Sequence, residues 1–257
     1  MGFLLNILVI VGALFLGIVF LLELGRRIRL ARMEREDDVG KGVGAVEGAV
    51  YGLLGLLIAF TFSGAATRFE GRRHLIVEEA NAIGTAYLRL DLLPAEARSS
   101  LQEKFRQYVD SRLEIYKKLP DLEAAKAALD KSNNHQNAIW AEAVAAGQSG
   151  SSPSATMLLL PALNQMIDIT TTRTVATQVH PPSVVYVLLM GLALVSALLA
   201  GFSMAESRSH NWLHTLLYAA ILSLAIYVIL DLEYPRMGLI RVDAADQLLM
   251  DVRQSMR

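Results

Sequence analysis

The chain has 257 residues, 53% hydrophobic and 19% charged, with a formal net charge of −1 and no cysteine. Soluble domains carry about a quarter charged residues; the near-neutral balance gives no electrostatic footprint for nucleic acid, and the absence of cysteine excludes disulfides, thiol nucleophiles and thiolate metal sites. The charges are also segregated, since residues 3–22, 48–67, 174–205 and 211–230 contain none, as a bilayer requires.

Residues 3–22 predict a first membrane span, because twenty residues at 1.5 Å each reach about 30 Å, the hydrocarbon thickness. A cleaved signal peptide would need a basic stretch ahead of the apolar run. Nothing basic precedes Phe3, and Glu23, Arg26, Arg27 and Arg29 follow, so an uncleaved anchor is expected. A second span is predicted over 44–67, with a basic connector before it, so that 1–67 holds two spans. Gly44, Gly48 and Gly52 recur every fourth position, with Gly55 close behind. Such a face lets another helix approach closely, and packing against a neighbour is expected. Glu47 lies in this face. It either snorkels to the interface or faces a water-filled path or a partner subunit. Ile58, Phe62, Ala65 and Phe69 follow at 4-3-4 spacing. Ordinary packing explains such a stripe. Around the axis of a symmetric oligomer it would instead form a hydrophobic constriction that gates by dewetting.

Residues 68–182 read as a helical extramembrane insert. The helix leaving span two continues to about residue 92 with no proline. Its seam is Ile76, Ala80, Ile83, Tyr87 and Leu90, at 4-3-4-3 spacing, the pattern of a surface that meets another helix. The opposite stripe is His74, Glu78, Asn81, Thr85 and Arg89, either a solvated face or a polar lining shared between helices or subunits. Glu78 and Arg89 are three turns apart and each needs a partner elsewhere. Pro94 ends this helix and opens another, to about Lys118, with Leu101, Phe105, Tyr108 and Ile115 as its apolar stripe. Pro120 and Asp121 open a third, ending near Ala146. Residues 147–151 form a linker. Ser152 then caps a helix with Pro153 at its first position, and Pro161 should kink it. Strand alternation is absent.

His180, Pro181 and Pro182 stop any incoming helix, and a third span runs over 184–204 with Ala193, Ala197 and Gly201 at small-residue spacing. The fourth, 213–230, has Trp212, Tyr227 and Tyr234 as interfacial anchors. The short connector 206–211 predicts that spans three and four, within 183–231, form an antiparallel hairpin. Residues 232–257 read as a carboxyl-terminal tail. Arg26, Arg27, Arg29, Arg32, Arg35, Lys41 and Arg208 flank the spans on one side; Arg68, Arg72, Arg73, Arg173, Arg236 and Arg241 flank them on the other. Seven against six leans weakly towards an external amino terminus and insert.

No catalytic constellation is found, so neither an enzyme nor a cofactor is expected. Of His74, His135, His180, His210 and His214, only the last two stand at i, i+4, and no acidic third ligand accompanies them. No metal site is expected. Thr170 to Thr174 is hydroxyl-rich but lacks a local base, and no glycine-rich phosphate loop is present.

The segments Phe62-Ser63-Gly64, Arg68-Phe69 and 78–90, EEANAIGTAYLRL, resemble the bestrophin-like domain family of bacterial membrane proteins, as do Asp231-Leu232-Glu233, Pro235-Arg236 and 238–241, GLIR. The resemblance implies an all-α, multi-pass protein of the bacterial inner membrane. Channel bestrophins are pentameric anion channels of four spans per subunit, whose second span lines a hydrophobic neck and whose helical region between spans two and three is cytosolic. By that likeness Ile58, Phe62 and Phe69 are neck candidates, lipid and further copies of the chain are the expected partners, and the insert is cytoplasmic, against the charge lean. The acidic cluster of the bestrophin calcium clasp has no counterpart here. The expected function is an oligomeric ion channel. The alternative is a non-conducting scaffold or sensor whose insert binds a partner protein through its seam.

Overall fold

The computed structural model describes residues 2–33, 43–149, 151–205 and 212–256. Among the described residues all regular structure is helical: α1 (Gly2–Met33), α2 (Val43–Arg89), a 3-10 turn (Leu90–Leu92), α3 (Ala95–Lys118), α4 (Leu122–Gln148), α5 (Pro153–Ala176), α6 (Ser183–Met204), α7 (Trp212–Glu233) and α8 (Asp243–Ser255). Four of these, α1, α2, α6 and α7, are long and apolar enough to cross a membrane. The chain is an integral membrane protein.

Helix α1 runs past its apolar stretch to Met33. Residues 23–33 are rich in strong helix formers, and Arg27 donates to Glu23 one turn back at 2.7 Å. The first part of the expected connector is therefore helical. Helix α2 is unbroken over 47 residues, about 70 Å at 1.5 Å per residue.

The chain divides into two compact units, one of residues 1–68 with 180–234, the other of 69–179 with 235–257. In the first, α1 packs extensively on α6 and on α7, while α6 and α7 touch only lightly. Helix α1 thus packs on both helices of the expected hairpin, spans three and four. The cause is a reciprocal glycine contact. A Cβ on Gly25 would overlap the Leu198 carbonyl, and one on Gly201 would overlap the Leu22 carbonyl. Only hydrogen at both positions lets the backbones come so near. Ala193 and Ala197 are fully buried on the same face. The Ser196 and Tyr218 hydroxyls, 3.0 Å apart, link α6 to α7.

The second unit has its own apolar core, with Ile83, Ala86 and Leu90 of α2 among Leu101, Phe105, Ile139, Leu159, Leu163 and Met166. The Tyr87 ring meets the Phe105 ring edge-on at 5.9 Å. Asp121 caps α4 by accepting from the Ala124 amide, and Ser152 caps α5 by accepting from that of Ala155. Gly147 lies against Thr156, which closes the α4–α5 turn. The seam of 76–90 is therefore spent inside the chain and is not open to a partner, a correction to the scaffold reading. The carboxyl-terminal stretch is not a separate tail either. Leu249 is buried in this core with Val252 packed beside it, and Arg253 pairs with Asp110 at 2.8 Å.

Candidate functional site

Helix α2 has one covered face. Glu47, Leu54 and Ala65 are buried; seven and eleven residues are close to two and three whole turns, so these positions share a side. The Ser203 hydroxyl of α6 donates to the Glu47 carboxylate. Beyond that face α2 has no extensive close packing with α1, α6 or α7. Phe62, three positions from Ala65 and so about 60° round the helix, is 46% exposed. Ile58 and Phe69 are half-buried. Of the five sequence candidates for a pore lining, Ile58, Phe62 and Phe69 therefore lie at or beyond the edge of the covered face, whereas Ala65 and Glu47 are turned into the chain. Gly44, Gly48, Gly52 and Gly55 occupy the adjoining uncovered side, where a Cβ would meet nothing within 4 Å.

At the end of this unit Arg68 of α2 grips the buried carboxylate of Glu233 on α7. Its Nε donates to both carboxylate oxygens, at 2.9 and 3.2 Å, and its terminal nitrogen donates to one. His180 Nδ1 lies 3.3 Å from Oε2 of that carboxylate, an oxygen that also accepts from Arg68 Nε. The imidazole is stacked on Tyr234, with ring centroids 4.6 Å apart.

In the second unit most of the polar stripe is exposed within the chain. His74, Glu78, Asn81 and Thr85 are exposed, and His74 pairs with Glu78 at 3.1 Å. Glu78 and Asn81 also border an open groove of about 500 Å³ with Asn164, Asp168 and Thr172 of α5. Arg89 donates to the Leu158 carbonyl, near the place where Pro161 removes a helical donor. Glu78 and Arg89 thus find the separate partners that their spacing demands.

The strongest charge cluster of this unit was not read from the sequence. Glu79 is fully buried and paired with Arg112 at 2.6 Å and with Arg173. Arg173 and Arg236 both reach Asp246 of α8, at 3.3 and 2.6 Å. The guanidiniums of Arg112, Arg173 and Arg236 lie over the Tyr116 ring. Burial alone would raise the Glu79 carboxyl, but the two arginines outweigh it and hold it below the ordinary carboxylate range. Thr170, read as part of a hydroxyl run, belongs to a buried triad in which Gln136 donates to the Tyr108 and Thr170 hydroxyls, each at 3.0 Å. Burial pushes the Tyr108 phenol up to about 12.

Among the described residues no three or more His, Asp or Glu side chains converge as metal ligands would. His210 of the His210/His214 pair lies outside them.

The fold is similar to that of a bacterial bestrophin homolog from Klebsiella pneumoniae. One mutant crystal structure of it matches with a TM-score of 0.71 at 15% identity, over 94% of this chain and 98% of that one. Another gives 0.71 at 14% identity over 94% and 98%. The crystal structure of a variant described as a membrane protein gives 0.70 at 15% identity over 92% and 97%. At such identities the likeness is one of fold. No curated protein matches by sequence. The Bestrophin-like domain matches residues 12–246, and with nearly the whole chain covered, this protein belongs to the bestrophin-like family.

Proposed function

We propose that the chain is one subunit of a homo-oligomeric channel, a pentamer by analogy with channel bestrophins, that passes ions and favours anions across the bacterial inner membrane. Its neck is formed by Ile58, Phe62 and Phe69, one set from each subunit, with residues 69–179 and 235–257 outside the bilayer. The observation that carries this reading is the uncovered side of α2. An aromatic stripe at the edge of the covered face adjoins a glycine face that no described residue fills. Glycine faces favour helix neighbours over lipid, so a second copy fits there. Side by side, such copies would turn their aromatic stripes towards a shared axis, where apolar rings gate ion flow by dewetting. The anion preference rests on the family likeness.

Purified protein in planar bilayers should carry current, and Phe62→Ala, which widens and wets the constriction, should raise it. Silence across pH, calcium and voltage in protein shown to be assembled would overturn the reading. So would imaging that shows a monomer.

A further inference from the structure

The Arg68–Glu233 pair leaves one neighbour whose charge is not fixed. His180 Nδ1 is 3.3 Å from the Glu233 carboxylate. The carboxylate is fully buried, whereas the His180 side chain is about a quarter exposed, 24% by area. Tyr234 lies beneath it in a stacked geometry, and an aromatic face favours a cation over it. The same unit holds other titratable groups. Tyr186 of α6 interacts with Arg68, and Asp231, buried on α7, accepts from the Tyr227 hydroxyl at 3.3 Å. Arg68 stands six residues after Phe62, about 9 Å further along α2, and directly before Phe69.

We propose that His180 is a proton-responsive positioning residue that sets the electrostatic potential at the end of the neck. Arg68 and Glu233 offset one another. Imidazoles take up a proton between about pH 5 and 8, and protonation of His180 adds one positive charge per subunit beside the pore helix. In a ring of subunits these charges sum, and a positive field at a narrow apolar passage raises the local concentration of anions. Anion current therefore rises as pH falls through the imidazole range. This rests on the channel reading above.

The test is planar-bilayer conductance in chloride between about pH 5 and 8, with each bath acidified in turn. The intact protein should show an increase of about fivefold or more towards acid, the lower end of typical coupling between sites. His180→Gln, which keeps a hydrogen-bonding side chain but no titration, should conduct with that increase lost. Current with an unchanged pH profile in His180→Gln overturns the proposal and leaves the channel intact. If neither protein conducts, the channel reading fails, and the proposed control of ion flow fails with it. The ring's coupling is then still decided by NMR of isotope-labelled histidine in detergent. The His180 signal, assigned by its loss in His180→Gln, should titrate with a midpoint that moves in Glu233→Gln; an unmoved midpoint excludes electrostatic coupling between ring and carboxylate.

Discussion

Glu79 shows what a buried charge requires. Its carboxylate is cut off from water and survives because Arg112 and Arg173 both reach it. Removing one partner of such a cluster strands the others, at a cost of about 3–5 kcal/mol. Glu79→Gln should therefore lower the thermal midpoint of the detergent-solubilised protein sharply. The adjacent Glu78→Gln, on the exposed stripe, should change stability by less than about 0.5 kcal/mol. The pH sense follows from the depressed Glu79 carboxyl. Its contribution is fully present above the ordinary Glu value of about 4.3 and is lost as pH falls through the lower, folded value. An acid titration of tertiary signal should show this loss, and Glu79→Gln should remove it. The cluster was partly legible. Glu79 lies three residues after Ile76 and four before Ile83, and Arg112 lies four after Tyr108 and three before Ile115, so both charges fall on apolar faces. Sequence spacing could not say which acid meets which base, because the partners are 33 and 94 residues apart.

Among the elements, the α1–α6 contact is the tightest, and two glycines set it. Gly201→Ala places a Cβ where the Leu22 carbonyl already is, and overpacking of this kind costs about 1–3 kcal/mol or more. Gly191→Ala, on the same helix with nothing within 4 Å, should be neutral. Circular dichroism melts of the two variants in one detergent separate these outcomes. The small-residue spacing of α6 was readable along the chain, but its partner was not. The carbonyls of Leu22 and Leu198 show that α1 is the helix that meets it. Caps behaved differently. Asp121 and Ser152 act on amides three residues away, and such local chemistry is visible in sequence.

For the whole molecule, lipid as solvent explains why the spans were the most legible feature. Four uncharged runs admit few other readings, whereas a pore belongs to several copies and no single chain displays it. Phe62, Ala65 and Glu47 were all nameable as candidates, but the spacing did not show that Ala65 and Glu47 are buried within the chain. If copies meet on the glycine side of α2, Gly48→Leu should leave the helical content of the chain unchanged and lower the assembled mass, as read by size exclusion with light scattering. An unaltered mass would show that the subunits meet elsewhere. The second unit also has a timetable. Asp246 reaches Arg173 from 73 residues downstream, and helices α6 and α7 intervene. A chain still emerging from the ribosome therefore cannot close the Arg173–Asp246 pair until α6 and α7 have been made, and until then Arg173 has Glu79 alone of its two carboxylate partners.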